Sequence, residues 1–192
     1  MNQPAIVIPP TLKISPAQFQ EIAAVNRDVR LERTATGELI VMPPTGGRTG
    51  QRNLDLAGQL WAWNQQTNLG VVFDSSTGFQ LPNGANRSPD VAWVEKARWD
   101  ALTPAQQASF PPLCPDFVIE LRSGSDVLTQ LQGKMREYLA NGLRLGWLID
   151  PQQRQVEVYR PNEAVAVLEF PAQLSEAAVL PGLVLDLRRI WG

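Results

Sequence analysis

The stretch Phe117-Val118-Ile119-Glu120-Leu121 constrains this chain more than any other. It has the length and apolar character of a strand covered on both faces, yet it carries a carboxylate. An isolated buried charge costs many kcal/mol, so a core strand keeps one only where something beside it needs the charge. A second run, Ser88-Pro89-Asp90-Val91-Ala92-Trp93-Val94, repeats the pattern and is read as a strand containing Asp90. Side chains alternate along a strand, so Glu120 shares a face with Val118 and Arg122, and Asp90 with Ser88 and Ala92. If the two strands are neighbours, both carboxylates point into one pocket. Two carboxylates, backbone carbonyls and waters make a hard oxygen site suited to Mg²⁺ or Mn²⁺.

Composition removes the main alternatives. The chain has no histidine, which excludes Ser-His-Asp and Cys-His catalysis and histidine zinc sites. Cys114 is the single cysteine, so there is no internal disulfide or cysteine zinc site, and it is read as a packed small hydrophobe. With 192 residues, 44% of them hydrophobic and 19% charged, the chain is expected to form one globular domain over 1–192. No apolar run reaches the roughly 18 residues of a membrane span. The N-terminus lacks the basic region of a secretory signal, so a cytoplasmic location is expected. The net charge of −2 gives no global attraction to nucleic acid, and such a partner would need a local basic patch.

The order of elements indicates α/β. Ser15-Pro16-Ala17-Gln18 opens a helix with a capping box, running to about Asn26. Val29–Arg33 and Glu38–Met42 form a hairpin. A long helix covers about Thr49 to Thr67, preceded by Gly46-Gly47-Arg48-Thr49-Gly50, which has the glycines of a phosphate loop but not its Gly-Lys-Ser/Thr ending. Strands are expected at Gly70–Asp74, Gly78–Leu81, around Asp90 and up to Glu120. An insertion covers residues 95–114, helical from Thr103-Pro104, and Asp126–Asn141 is a helix, capped by Asp126 and closed by Gly142. Leu143–Asp150, Gln155–Arg160, Val165–Phe170 and Leu183–Leu185 are further strands. This pattern predicts a mixed sheet with helices packed on it. Residues 1–14 are read as an extended arm.

The helix after Glu120 supplies a cation. Asp126, Gln130, Lys134 and Tyr138 fall at four-residue spacing beside the apolar stripe Val127, Leu131, Met135 and Leu139. From the edge of that face the Lys134 stem can reach the strand carboxylates. An Asp, a Glu and a Lys around a divalent ion meet the needs of phosphodiester hydrolysis without histidine.

Ser88-Pro89-Asp90 followed by Glu120-Leu121-Arg122 resembles the PD-(D/E)XK pattern of restriction-endonuclease-like nucleases. The wider set is more specific: Gly37-Glu38-Leu39-Ile40-Val41-Met42-Pro43-Pro44, Pro115 to Ser123, Lys134-Met135-Arg136-Glu137-Tyr138 and Gly146-Trp147-Leu148-Ile149-Asp150-Pro151. Over about residues 28–161 it resembles the bacterial group of restriction-endonuclease candidates once catalogued as a domain of unknown function. The resemblance implies a restriction-endonuclease-like fold: a central mixed β-sheet flanked by helices, with an N-terminal helix and hairpin and extra C-terminal strands. It implies Asp90 and Glu120 as metal ligands and an endonuclease hydrolysing DNA with Mg²⁺ or Mn²⁺. Arg122 stands where the superfamily usually has lysine, and Lys134 on the next helix is then the counterpart of the catalytic lysine. Gly124 replaces a proline common in the group.

Secondary expectations complete the picture. Arg122 is a phosphate contact, since its fixed fork suits phosphate oxygens. Glu32 and Glu38 are candidates to approach the site from the hairpin, and Tyr138 to contact it. A homodimer would suit a symmetric duplex. Two other readings stay open. One is a non-catalytic module that binds nucleic acid or protein. The other is a structural dimer whose acidic pair is neutralised by Arg122.

Overall fold

The computed structural model describes residue 9 and residues 11–192, so most of the expected N-terminal arm lies outside the described residues. In chain order the elements are α1 (Pro16–Val25), β1 (Arg30–Arg33), β2 (Leu39–Met42), α2 (Gly47–Thr67), β3 (Gly70–Asp74), β4 (Phe79–Gln80), β5 (Asn86–Arg87), β6 (Val91–Glu95), α3 (Lys96–Asp100) and α4 (Pro104–Gln107). Then come β7 (Phe117–Leu121), α5 (Leu128–Ala140), β8 (Leu145–Asp150), β9 (Gln155–Tyr159), β10 (Ala166–Glu169), β11 (Gln173–Leu174), β12 (Leu185–Asp186) and α6 (Arg188–Trp191). The expected mixed sheet is present: six strands in the order β10-β9-β8-β7-β6-β3, with β7 and β8 parallel and the other pairs antiparallel. A four-stranded sheet, β2-β1-β5-β4, stands beside it.

Alternation along β7 divides the interior. Phe117, Ile119 and Leu121 point to one face, where Leu56, Leu60 and Trp63 of α2 and the C-terminal Leu174–Trp191 region cover them. Val118 points to the other, where Met135 and Tyr138 of α5 pack with Phe79, Leu81 and Cys114. Each fully buried large apolar side chain contributes about 1.5–3 kcal/mol, so the two helices are held by their apolar stripes rather than by intrinsic propensity. Glu120, two residues on from Val118, shares its face and therefore faces α5.

Local signals act where the sequence places them. Ser15 Oγ accepts from the Gln18 amide at 3.2 Å and Gln18 Oε1 from the Ser15 amide at 2.8 Å, closing the capping box. Cys114 is buried, and burial pushes its thiol up to about 12, so it packs as a hydrophobe. Two boundaries differ from expectation. Asp90 precedes β6 rather than lying within a strand, because Pro89 has no amide to donate to a ladder. Asp126 does not cap α5: its Oδ2 accepts the Ser123 amide at 2.7 Å and pins the preceding turn, and the N-cap is Val127. The short β5, β11, α3 and α6 carry too few residues to show a period. Among the described residues no helix is long and apolar enough to cross a membrane.

Candidate active site

β6 and β7 are direct neighbours, and their antiparallel register pairs Val91 with Ile119 and Ala92 with Val118. One more step of that register sets Asp90 opposite Glu120, where facing side chains are about 5 Å apart at Cβ. The Leu121 amide donates to Asp90 Oδ2 at 2.9 Å, which fixes the Asp90 carboxylate beside the end of β7. From α2, Asn53 Nδ2 donates to Asp90 Oδ1 at 3.1 Å.

α5 delivers the cation. It lies over β8, where Gly146 leaves room for Met135: a Cβ there would meet Met135 Cε at 2.4 Å. With Met135 seated, Lys134 runs along the helix edge into the protein. Its Nζ is 2.8 Å from Glu120 Oε1, 2.9 Å from Glu32 Oε1 and 3.3 Å from Ser88 O. One turn on, the Tyr138 hydroxyl donates to Glu120 Oε1 at 3.1 Å.

The smaller sheet delivers Glu32. Arg33 pairs with Asn86 across β1 and β5, so Glu32 falls beside Arg87. Arg87 Nη1 lies 3.0 Å from Glu32 Oε2, and the Ser88 amide donates to Glu32 Oε1 at 2.9 Å. Arg87 is held in turn by Glu137 Oε2 at 2.6 Å. Asp90, Glu120 and Lys134 line one cleft of about 330 Å³, with Arg30, Ser88, Thr49 and the turn Ser123–Asp126 around them.

Charge is unevenly matched here. Burial favours the protonated Glu32 carboxyl, but Lys134 and Arg87 outweigh it and hold Glu32 below the usual carboxylate range. Burial pushes Glu120 up to about 7; Lys134 opposes this, and the charges of Asp90 and Glu32 add to it. Burial likewise raises Asp90, against the Leu121 amide, Lys134, Arg30 and Asn53. Burial disfavours the Lys134 ammonium, yet Glu120 and Glu32 together raise its pKa, so it stays protonated. Tyr138 is raised by burial and by the same two carboxylates.

Asp90, Glu120, Lys134, Glu32 and Tyr138 are thus brought together. Glu38 and Arg122 are not. Glu38 pairs with Lys13 on the outer edge of the hairpin, since it alternates away from Glu32's surroundings beyond the Gly37 turn. Arg122 lies past the end of β7, where alternation no longer governs direction. Its Nη1 is 2.7 Å from Asp150 Oδ2, in a neighbouring groove rather than in the Asp90 cleft, so it neutralises neither Asp90 nor Glu120. Sequence reasoning missed Asn53 and Arg30, and it weighed Arg87 only as a partner for Asp90, whereas Arg87 pairs with Glu32 and Glu137. Asn53 had one signal, a polar residue on a long amphipathic helix; Arg30 had none.

Oxygen chemistry fits a hard divalent ion. Among the described residues Asp90 makes no ion pair, and Asn53 Oδ1 beside it is buried without a hydrogen-bond partner. No three Asp, Glu, Cys or His side chains among the described residues converge as a ready-made cage.

A family model described as "Putative restriction endonuclease" (Uma2) matches residues 16–188. Among solved structures, the chain is similar to a protein from Anabaena variabilis described as a putative nuclease belonging to DUF820. The two share 19% identity with a TM-score of 0.79, over 93% of this chain and 97% of that one. At that identity the likeness concerns the fold. No curated protein matches the sequence.

Proposed function

We propose, from the premise that this chain belongs to the Uma2 family of putative restriction endonucleases, that it is a metal-dependent nuclease acting on DNA. The observation that carries this reading is Lys134. Its ammonium bridges Glu120 and Glu32 at 2.8 and 2.9 Å in the same cleft as Asp90, which makes no ion pair among the described residues. Asp90 and Glu120 would hold Mg²⁺ or Mn²⁺, which supplies Lewis acidity at the phosphoryl oxygen and eases loss of a proton from water.

The chain's own groups do the rest. In hydrolysis the oxygen of water bonds to phosphorus while the bond from phosphorus to one ester oxygen breaks. Water gives up a proton and the departing alkoxide takes one. Lys134 stays an ammonium, so it serves as a fixed positive charge facing the negative charge that builds on the phosphoryl group, and not as a base. Glu32 stays ionised and holds Lys134 at the cleft wall. Asn53 and the Leu121 amide aim Asp90, and Tyr138 aims Glu120. A homodimer would match the two-fold symmetry of a duplex, which sedimentation of the intact protein tests.

The test combines calorimetry with cleavage. Mn²⁺ should bind wild type and fail to bind Asp90→Ala. Supercoiled plasmid should be nicked with Mg²⁺ or Mn²⁺, and Glu120→Gln and Lys134→Ala should each lower the rate by at least about 100-fold. Metal binding without cleavage of DNA or RNA by wild type would overturn the enzyme in favour of a non-catalytic nucleic-acid module.

A further inference from the structure

A second groove, of about 530 Å³, adjoins the cleft and shares Thr49, Ser123 and Gly124 with it. Four arginines line it: Arg48 and Arg52 from α2, Arg122 from the turn after β7, and Arg154 from the turn after β8. No Asp or Glu lines it. In a chain of net charge −2, with 17 basic residues in all, this is a local excess of one sign.

The charges are also largely unspent. Among the described residues only Arg122 of the four makes an ion pair, with Asp150, and its buried Nε has no hydrogen-bond partner. Arg154 stands in a left-handed backbone conformation, φ 55°, with its guanidinium over the Phe170 ring at 5.1 Å. That contact draws the cation to the aromatic face. Burial and the nearby Arg48 charge make Arg52 less basic than usual. The N-terminus of α2 opens on the adjoining cleft, with Gly46 as N-cap and no side chain capping its amides. Free helix amides and arginine forks both favour phosphate oxygens.

We propose that this groove binds successive phosphates of a DNA strand on one side of the cleavage point, carrying the backbone from Arg154 past Arg122 and Arg48 to the Asp90–Glu120 cleft. The proposal rests on the nuclease reading, because it takes the cleft as the place of the scissile phosphate. It gives Arg122 the phosphate role expected from sequence, in a different location. The shared wall at Thr49, Ser123 and Gly124 makes the two sites one continuous surface.

Binding separates this proposal from catalysis. A fluorescein-labelled DNA duplex of about 20 base pairs is titrated in EDTA between about 50 and 200 mM salt, and anisotropy gives the dependence of affinity on salt. The probes are wild type, Glu120→Gln, the triple variant R48Q/R52Q/R154Q, and a charge-matched control, R27Q/K96Q/R136Q. These residues are partly or fully exposed, so both triple variants should fold, which circular dichroism checks. Each phosphate contact contributes about 0.9 to the slope of log affinity against log salt, so the groove variant should lose about 3 units and the control almost none. Glu120→Gln should bind with the wild-type slope while failing to cleave. Equal slopes for wild type and the groove variant would overturn the groove and leave the nuclease reading to the plasmid assay. Equal losses in groove variant and control would overturn it too, since the effect would then be net charge alone. Absence of duplex binding by wild type would also sink it.

Discussion

Glu120 is pulled in two directions by its surroundings. Removal from water favours its protonated form, whereas the Lys134 ammonium at 2.8 Å favours the carboxylate. The first effect wins, and the group titrates at about 7 instead of its usual 4.5. A carboxyl raised on folding gives stability that is fully present below pH 4.5 and lost as pH rises through about 7. Glu32 has the opposite sign: held below 4.5, it gives stability present above that value and lost in stronger acid. In the metal-free protein, Glu120→Gln should therefore melt several degrees above wild type at about pH 8, and the gap should close by about pH 5. Scanning calorimetry in EDTA at both pH values measures this; a wild type that is the more stable partner at pH 8 would contradict it. Such a gain on removing a site residue is the usual mark of a site built at the expense of stability.

Elements hold these residues at fixed distances, and close approach of backbone does much of the work. β3 runs along β6, and Gly70 starts it against the Trp93 indole. A Cβ at Gly70 would lie 2.2 Å from Val94 O and 2.4 Å from Trp93 Cε2, and backbone cannot step aside as a flexible side chain can. Asn64 of α2 locks the same corner, donating to Gly70 O at 2.9 Å and accepting from Trp93 Nε1 at 3.0 Å. Gly70→Ala should therefore cost about 3 kcal/mol, at the upper end of overpacking effects, read from the urea midpoint at unchanged slope. Gly146→Ala meets only the tip of Met135 and an end carbon of Leu143, so it should cost less. It should also nudge α5 and slow cleavage more than it lowers stability, because Lys134 precedes Met135 on that helix.

Across the whole molecule the site is a junction. β7 brings Glu120, the turn before β6 brings Asp90, α5 brings Lys134 and Tyr138, the smaller sheet brings Glu32, and α2 brings Asn53. An ion bound at that junction adds a tie between parts already joined by the Lys134 ion pairs and by the Asn53 and Tyr138 hydrogen bonds. Mn²⁺ at 100 times its dissociation constant should stabilise the native protein by about 2.7 kcal/mol. That should raise the melting temperature of wild type and leave Asp90→Ala unmoved, as thermal unfolding with and without EDTA would show.

The sequence by itself determined the local units and the chemistry on offer. The absence of histidine left only oxygen ligands and ammonium. The short apolar runs gave β6, β7 and β8, Ser15 and Gln18 gave the start of α1, and the PD…E pattern with Lys134 named the residues that now share a cleft. These signals are legible because period, caps and turn residues act over a few positions. Only the tertiary structure decided register and direction. It set Asp90 opposite Glu120, chose Glu32 over Glu38, turned Arg122 to Asp150, and gathered Arg48, Arg52 and Arg154 from distant segments. Spacing along a chain cannot encode which strand lies beside which. Charge pairing among groups far apart in sequence is settled only when burial makes an unpaired charge costly.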